Sequence, residues 1–203
     1  GDYKVEIYNI FEESLDLVAE VPMDGQSPRE IVVVNHKAYV TTWDPDWTVY
    51  PNVDGYVKVI SLDNFQVEES VQVGVMPEGL LYNNGYLWVA NSGESTVSKI
   101  DVSSDSVQDE VYVSEGPLFL SVLNDVIYVA RTYYDSNWNA NFGTSKIGLD
   151  GSSQIMEYGA GIACGGSIMK YNNSIYRSFE GGIAPINQSL EIVSEEKIGN
   201  YDP

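Results

Sequence analysis

The sequence predicts an all-β protein assembled from repeated four-stranded antiparallel units, and three observations lead there. No stretch longer than a turn or two has helical periodicity. The apolar residues instead come in short, partly alternating β-branched runs, such as Tyr56-Val57-Lys58-Val59-Ile60 and Val71-Gln72-Val73, bounded by Gly, Asn, Asp and Pro. The third observation is an internal repeat. Ala38-Tyr39-Val40-Thr41 aligns with Leu87-Trp88-Val89-Ala90, Ile127-Tyr128-Val129-Ala130 and Ile175-Tyr176-Arg177-Ser178, with the aromatic residues 49, 40 and 48 positions apart. Pro28, Pro77, Pro117 and Gly165 stand eleven residues before those aromatics, and Asn35, Asn84, Asn124 and Asn172 stand four before them. Three columns in one register across four units mark a repeat architecture, and four strands in about 40–50 residues make the blade of a β-propeller.

Each element of the unit has its own reason. Proline opens the innermost strand, where it removes no ladder hydrogen bond. An apolar run such as 31–34 follows, then a tight turn containing Asn, which tolerates the left-handed backbone that two-residue hairpins need. The second strand carries the aromatic–Val pair. The third is typified by Thr96-Val97-Ser98-Lys99-Ile100-Asp101 and the fourth by residues 107–113. A single blade buries neither of its faces alone, so the units are expected to stack around an axis. Residues 5–23 read as the last two strands of a blade, and 27–74, 76–114, 116–160 and 164–199 as four full blades. That makes about four and a half blades in one propeller domain. The missing partner strands for the first half blade lead us to expect a longer protein that continues past the C-terminus.

The pattern Pro…aromatic-Val-x-Asn…Thr-Val-x-x-Ile-Asp…Val-x-Val-Gly resembles the YVTN-repeat family of β-propellers. The second unit shows it most fully, in Pro77, Trp88-Val89-Ala90-Asn91 and Ser95-Thr96-Val97-Ser98-Lys99-Ile100-Asp101; the first ends in Val71-Gln72-Val73-Gly74. The third has Arg131 in the Asn place, and the fourth departs furthest, with Gly165 for Pro and Tyr176-Arg177 for Tyr-Val. The resemblance implies a ring closed by seven blades, or about 310 residues at this repeat length. It also implies the company of surface-layer, periplasmic and cobalamin-capturing surface proteins, and of propeller enzymes of the lyase and lactonase type.

Composition narrows the function. With 10 Lys+Arg against 30 Asp+Glu, the net charge of −20 repels nucleic acid and anionic membranes. No apolar run approaches the about 20 residues of a membrane helix. The acidity suits a soluble protein outside the cytoplasm, or serves solubility alone. No export signal is present, and Gly1 reads as a remnant of processing with any such signal upstream. Cys164 is the one cysteine, so no internal disulfide can form, and it reads as a small buried residue opening a strand. His36, the one histidine, falls in a hairpin turn. Catalysis and transition-metal binding usually draw on clusters of such residues, so no catalytic residue, metal site or cofactor is expected. Asp44, Asp46 and Asp54 could offer oxygen ligands to calcium, but their spacing is not that of an EF-hand loop.

Departures from the repeat point to one face. About nine extra residues lie between the second and third strands of the first unit, within 43–55, and a similar insertion lies within 133–143 of the third. Such loops emerge on the face that carries the blade-to-blade connections. They hold Trp43, Asp44, Trp47, Tyr50, Tyr133, Tyr134, Trp138 and Phe142. Aromatics at that density suggest a stacking or clamping surface, or else rings that pack on one another to stiffen long loops. Arg29, Glu30 and Glu78 follow the blade-opening prolines, Asn91 and Arg131 end second strands, and Arg177 lies nearby; the arginines read either as ligand contacts or as salt bridges between blades. The sequence-level expectation is a non-catalytic extracellular, cell-surface or periplasmic protein that binds a small molecule, protein or glycan on this face. A metal-dependent propeller enzyme with ligands outside this chain, and a structural adhesion module, are the alternatives.

Overall fold

A computed structural model describes residues 3–44, 54–161 and 166–199. The chain has the β-propeller fold. Strands β1 (Lys4–Ile10) and β2 (Leu15–Pro22) form a two-stranded sheet. Three four-stranded antiparallel sheets follow. The first is β3 (Ser27–Val34), β4 (Lys37–Trp43), β5 (Asp54–Ser61) and β6 (Gln66–Val75). The second is β7 (Pro77–Asn83), β8 (Tyr86–Asn91), β9 (Thr96–Asp101) and β10 (Ser106–Tyr112). The third is β11 (Pro117–Leu123), β12 (Val126–Tyr134), β13 (Ala140–Ile147) and β14 (Ser153–Ala160). The last sheet holds β15 (Ile168–Tyr171), β16 (Ser174–Phe179) and β17 (Gly182–Ile186). Strands β3, β7, β11 and β15 lie side by side in succession, as the inner strands of a ring do.

The repeat columns have visible physical work. Asn35, Asn84, Asn124 and Asn172 all adopt φ of 50–51°, and each opens a two-residue connection between paired strands. Pro77 and Pro117 begin β7 and β11, and Pro28 is the second residue of β3. Just after each proline the register with the second strand slips, at Pro28/Ile31, Pro77/Leu80 and Pro117/Phe119. A bulge after each proline re-aims the next one or two side chains, and in the first two blades it turns Arg29 and Glu78 along the same rim.

The last unit differs from the full blade expected at 164–199. Among the described residues it has three strands. The chain returns along β17 only through single bridges, Ile186 with Ile192 and Ile183 with Ile198. A tight turn held by the Asn187 side chain and a 3-10 turn at Ser194–Glu196 interrupt what would be the outer ladder.

The apolar interior is divided into layers, one at each junction between sheets. The layer between the first two full blades contains Tyr39, Val57, Val59, Val73, Leu87, Val89 and Ile100. Val97, Val113, Ile127, Val129 and Ile147 fill the next. Val21, Met23, Ala38, Val40 and Ile60 join the two-stranded sheet to its neighbour, and Ala130, Ile168, Ile175, Ile186 and Leu190 join the last. Strand alternation makes this arrangement: Val57 and Val59 face one neighbour, while Ile60 faces the other.

Leu87 is fully buried in one of these layers. Leu87→Ala should lower the unfolding free energy by about 2–5 kcal/mol in a urea titration, the range for emptying a packed leucine site. Val33→Ala, at a solvent-exposed position of β3, should leave the midpoint nearly unchanged.

Candidate functional site

The face anticipated from the insertions is built largely from cross-braces. At the rim between the first two full blades, Arg29 makes a forked contact with Glu78, Nε to Oε1 and Oε2 at 3.1 Å each and Nη2 to Oε1 at 2.8 Å. The guanidinium lies 4.2 Å above the Trp43 ring, and the Trp43 indole donates to the Pro77 carbonyl at 3.1 Å. Trp43 therefore belongs to the end of β4 and locks two blades together, where an open stacking surface had been expected. Beneath it, the Glu30 amide donates to Thr41 Oγ1 at 3.0 Å, and that hydroxyl donates onward to the Glu78 carbonyl at 2.9 Å. The bulge amide is thus satisfied by a fully buried threonine that also bridges the blades. The Glu30 residue itself is exposed. Asp44 follows β4 and is half-buried. Trp47, Tyr50 and Asp46 lie outside the described residues, as does the Asp54 side chain, so the calcium reading has no described ligand set.

Asn91 is buried at the end of β8. Its Nδ2 donates to Thr96 Oγ1 and Ser98 Oγ, each at 2.9 Å, and its Oδ1 has no partner. Its position in the interior replaces the rim contact expected of it.

The third blade holds the densest arrangement. Arg131, Gly143 and Glu157 sit in one row across β12, β13 and β14. The Arg131 guanidinium is fully buried; Nη2 meets Glu157 Oε1 at 2.6 Å and the Met156 carbonyl at 3.2 Å, and Nη1 meets the Glu115 carbonyl at 3.2 Å. It crosses β13 where the glycine leaves room: a β-carbon on Gly143 would lie 2.3 Å from Arg131 Nη2 and 2.8 Å from Glu157 Oε2. Tyr133 donates to Glu157 Oε2 at 2.7 Å. Burial first, and the adjoining Glu157 carboxylate second, push the Tyr133 phenol up to about 12.

Arg177 of β16 reaches back into this blade. It donates to the Gly143 carbonyl and, at 2.6 Å, to Thr144 Oγ1. Its guanidinium lies 5.2 Å from both the Phe142 and Tyr158 rings, which themselves pack at 5.2 Å. Burial lowers its proton affinity, and the two ring faces take the place of a carboxylate partner among the described residues. Phe142 is therefore an inter-blade packing residue, in contrast to the exposed ring expected.

What remains open to solvent is the end of the second insertion. This segment is no loose loop. It extends β12 and β13 as a hairpin, pairing Thr132 with Phe142, Tyr133 with Asn141 and Tyr134 with Ala140. Asp135 closes the tip: its Oδ1 accepts from the Asn137 and Asn139 amides at 2.9 Å each, and its Oδ2 accepts from Asn139 Nδ2 at 3.0 Å. These bonds, the Asn139 side chain first, hold its carboxyl below the usual range. Tyr134 is 57% exposed and Trp138 81% exposed, with ring centroids 6.4 Å apart and planes tilted at 49°. Trp138 also sits at φ 62°, in the left-handed region that bulky residues avoid. Of the predicted site residues, then, Arg29, Trp43 and Glu78 come together at one rim and Arg131, Tyr133 and Phe142 around Gly143, while Tyr134 and Trp138 form an exposed pair at the hairpin tip.

The sequence analysis did not anticipate a pocket of about 290 Å³ at the opposite end, between the Asn35 and Asn84 turns and lined also by Tyr82, Tyr86 and Asp101. Its walls come from turns of two blades, and no spacing within one unit reveals it.

No protein-family profile matches the chain, and no curated protein matches it. Solved structures do. Hydrazine synthase from Kuenenia stuttgartiensis superposes with a TM-score of 0.63 at 14% identity, over 89% of this chain and 55% of that one. BamB from Moraxella catarrhalis gives 0.59 at 13% identity, over 95% and 57%. The computationally designed Ika8 protein gives 0.54 at 9% identity, over 93% and 66%. The likeness is one of fold. The chain spans little more than half the length of the first two.

Two outcomes follow from the third blade. Gly143→Ala should cost about 2 kcal/mol, less than the loss of a fully buried ion pair because the Glu157 side chain is 43% exposed. Denaturant titration of Gly143→Ala in an Arg131→Met background should show a smaller penalty, since the clash is gone. Separately, ultraviolet absorbance should show Tyr133 ionising near pH 12, with Tyr133→Phe removing that step. Because its folded pKa lies above the unfolded value of about 10, its contribution to stability is complete below pH 10 and is lost as pH rises towards 12.

Proposed function

We propose that this chain is a non-catalytic binding module, a propeller of the YVTN-like kind working outside the cytoplasm, that presents an aromatic hairpin to its ligand or partner. The observation that carries the reading is the Tyr134–Trp138 pair. Two large rings stand in solvent on a tip that is internally hydrogen-bonded and mounted on a rigid sheet. An exposed tryptophan in a left-handed backbone is unfavourable twice over, and the fold recovers neither cost by burying it. Exposed rigid aromatics on loops carried by a stable scaffold are a common binding arrangement. The strongly acidic composition and single cysteine support an extracytoplasmic setting. His36 supports the non-catalytic reading: it lies in the exposed Asn35–His36 turn beside Asp63, at the far end of the blade from the hairpin.

The four tryptophans make a direct test. In protein labelled with 5-fluorotryptophan, ligands from a mixed panel of oligosaccharides, peptides and aromatic heterocycles should move the fluorine resonance of Trp138 and leave that of Trp88, inside the second blade, in place. If every binder in the panel acts at the opposite pocket, shifting amides around Asn84 and Tyr86 while Trp138 stays still, the reading fails.

A further inference from the structure

We infer that the hairpin tip is a subsite for a neutral saccharide. This rests on the binding role proposed above and narrows it to a class of ligand. The first argument is charge. Residues 133–143 contain no Lys, Arg, His or Glu, and their single acidic residue is Asp135. Both oxygens of that carboxylate are engaged inside the turn. The tip therefore offers no free cation to an acidic ligand, and the surrounding net charge of −20 repels one. It offers no uncommitted carboxylate to a basic ligand either.

The second argument is the kind of polar group left over. The Asn137 side-chain amide is exposed and makes no hydrogen bond among the described residues. Asn141 uses only its Nδ2, on the Asn139 carbonyl at 2.9 Å. Amides of this sort both donate and accept, as sugar hydroxyls do. The third is shape. Tyr134 and Trp138, tilted at 49°, make an angled corner of two bare ring faces instead of one flat platform. A pyranose presents C–H groups on one face and hydroxyls at its rim. The C–H face stacks on an indole, while the rim meets amides beside it. The fourth is size. A stable protein interface buries about 800 Å² on each side, more than a five-residue tip provides, whereas one or two sugar rings match it.

The test uses the intact chain labelled with 5-fluorotryptophan. Cellohexaose, chitohexaose, mannohexaose and xylohexaose are titrated separately, with hexagalacturonate and pentalysine as the acidic and basic arms. At least one neutral hexasaccharide should shift the Trp138 resonance saturably. Trp138→Asn, a residue that tolerates the left-handed backbone, should weaken calorimetric affinity for that sugar at least about tenfold, and Tyr134→Ala should weaken it too. Both positions are exposed, so thermal unfolding should be unchanged. If the charged oligomers, or the peptides and heterocycles of the earlier panel, move Trp138 and the neutral sugars do not, the saccharide assignment is overturned while the binding face stands. If nothing moves Trp138, both fall.

Discussion

Every sheet in this protein has two faces to cover and no helix to cover them. A four-stranded blade alternates its side chains, so that Val57 and Val59 need one neighbour and Ile60 another. Stacking blade on blade is the arrangement that satisfies both at once, and the interior becomes a series of thin apolar layers. The rest of the structure depends on keeping those layers in register. The two-residue Asn turns set strand length at one end, and the bulge after each proline sets it at the other.

Polar groups do the fine alignment where the layers meet solvent. Thr41 passes a hydrogen bond from the Glu30 amide to the Glu78 carbonyl of the next blade, and Arg29 clamps the same two strands over Trp43. Arg177 does the equivalent between the last two blades, held by a carbonyl, a hydroxyl and two aromatic faces. Gly79 serves the same closeness by subtraction, since a β-carbon there would lie 2.5 Å from the Leu118 carbonyl of the adjacent inner strand. This bracing accounts for most of the side chains that looked functional, and it leaves the hairpin tip as the region with no internal task.

The fold was legible because its signals are local and recur: a proline, an Asn turn and an aromatic at constant spacing. The site was legible to a smaller extent. Spacing located the second insertion and its aromatics, but it could not separate Phe142, which packs on Tyr158, from Trp138, which faces water. That difference arises from strand pairing across the hairpin. The Arg29–Glu78 pair did leave a trace: both residues directly follow the repeat proline, one blade apart, with opposite charges. The Arg131–Gly143–Glu157 row left none, because three strands must be paired before a glycine can be seen to lie beneath a guanidinium. The last unit hid its missing outer strand for a similar reason, since residues 187–199 read as an ordinary β-rich tail.

The division of the interior into layers has a mechanical consequence. Tension applied between the two ends of the chain would load the blade junctions in series, and no layer would share its burden with the next. The junctions would open in succession, each release setting free a length of chain close to one repeat. The weakest would yield first, and the last sheet, with three strands and two single bridges, has the least to hold it. A domain built this way can shed an outer blade under force and keep the inner ones folded, the behaviour of a stepwise extensible tether and not of a single brittle unit.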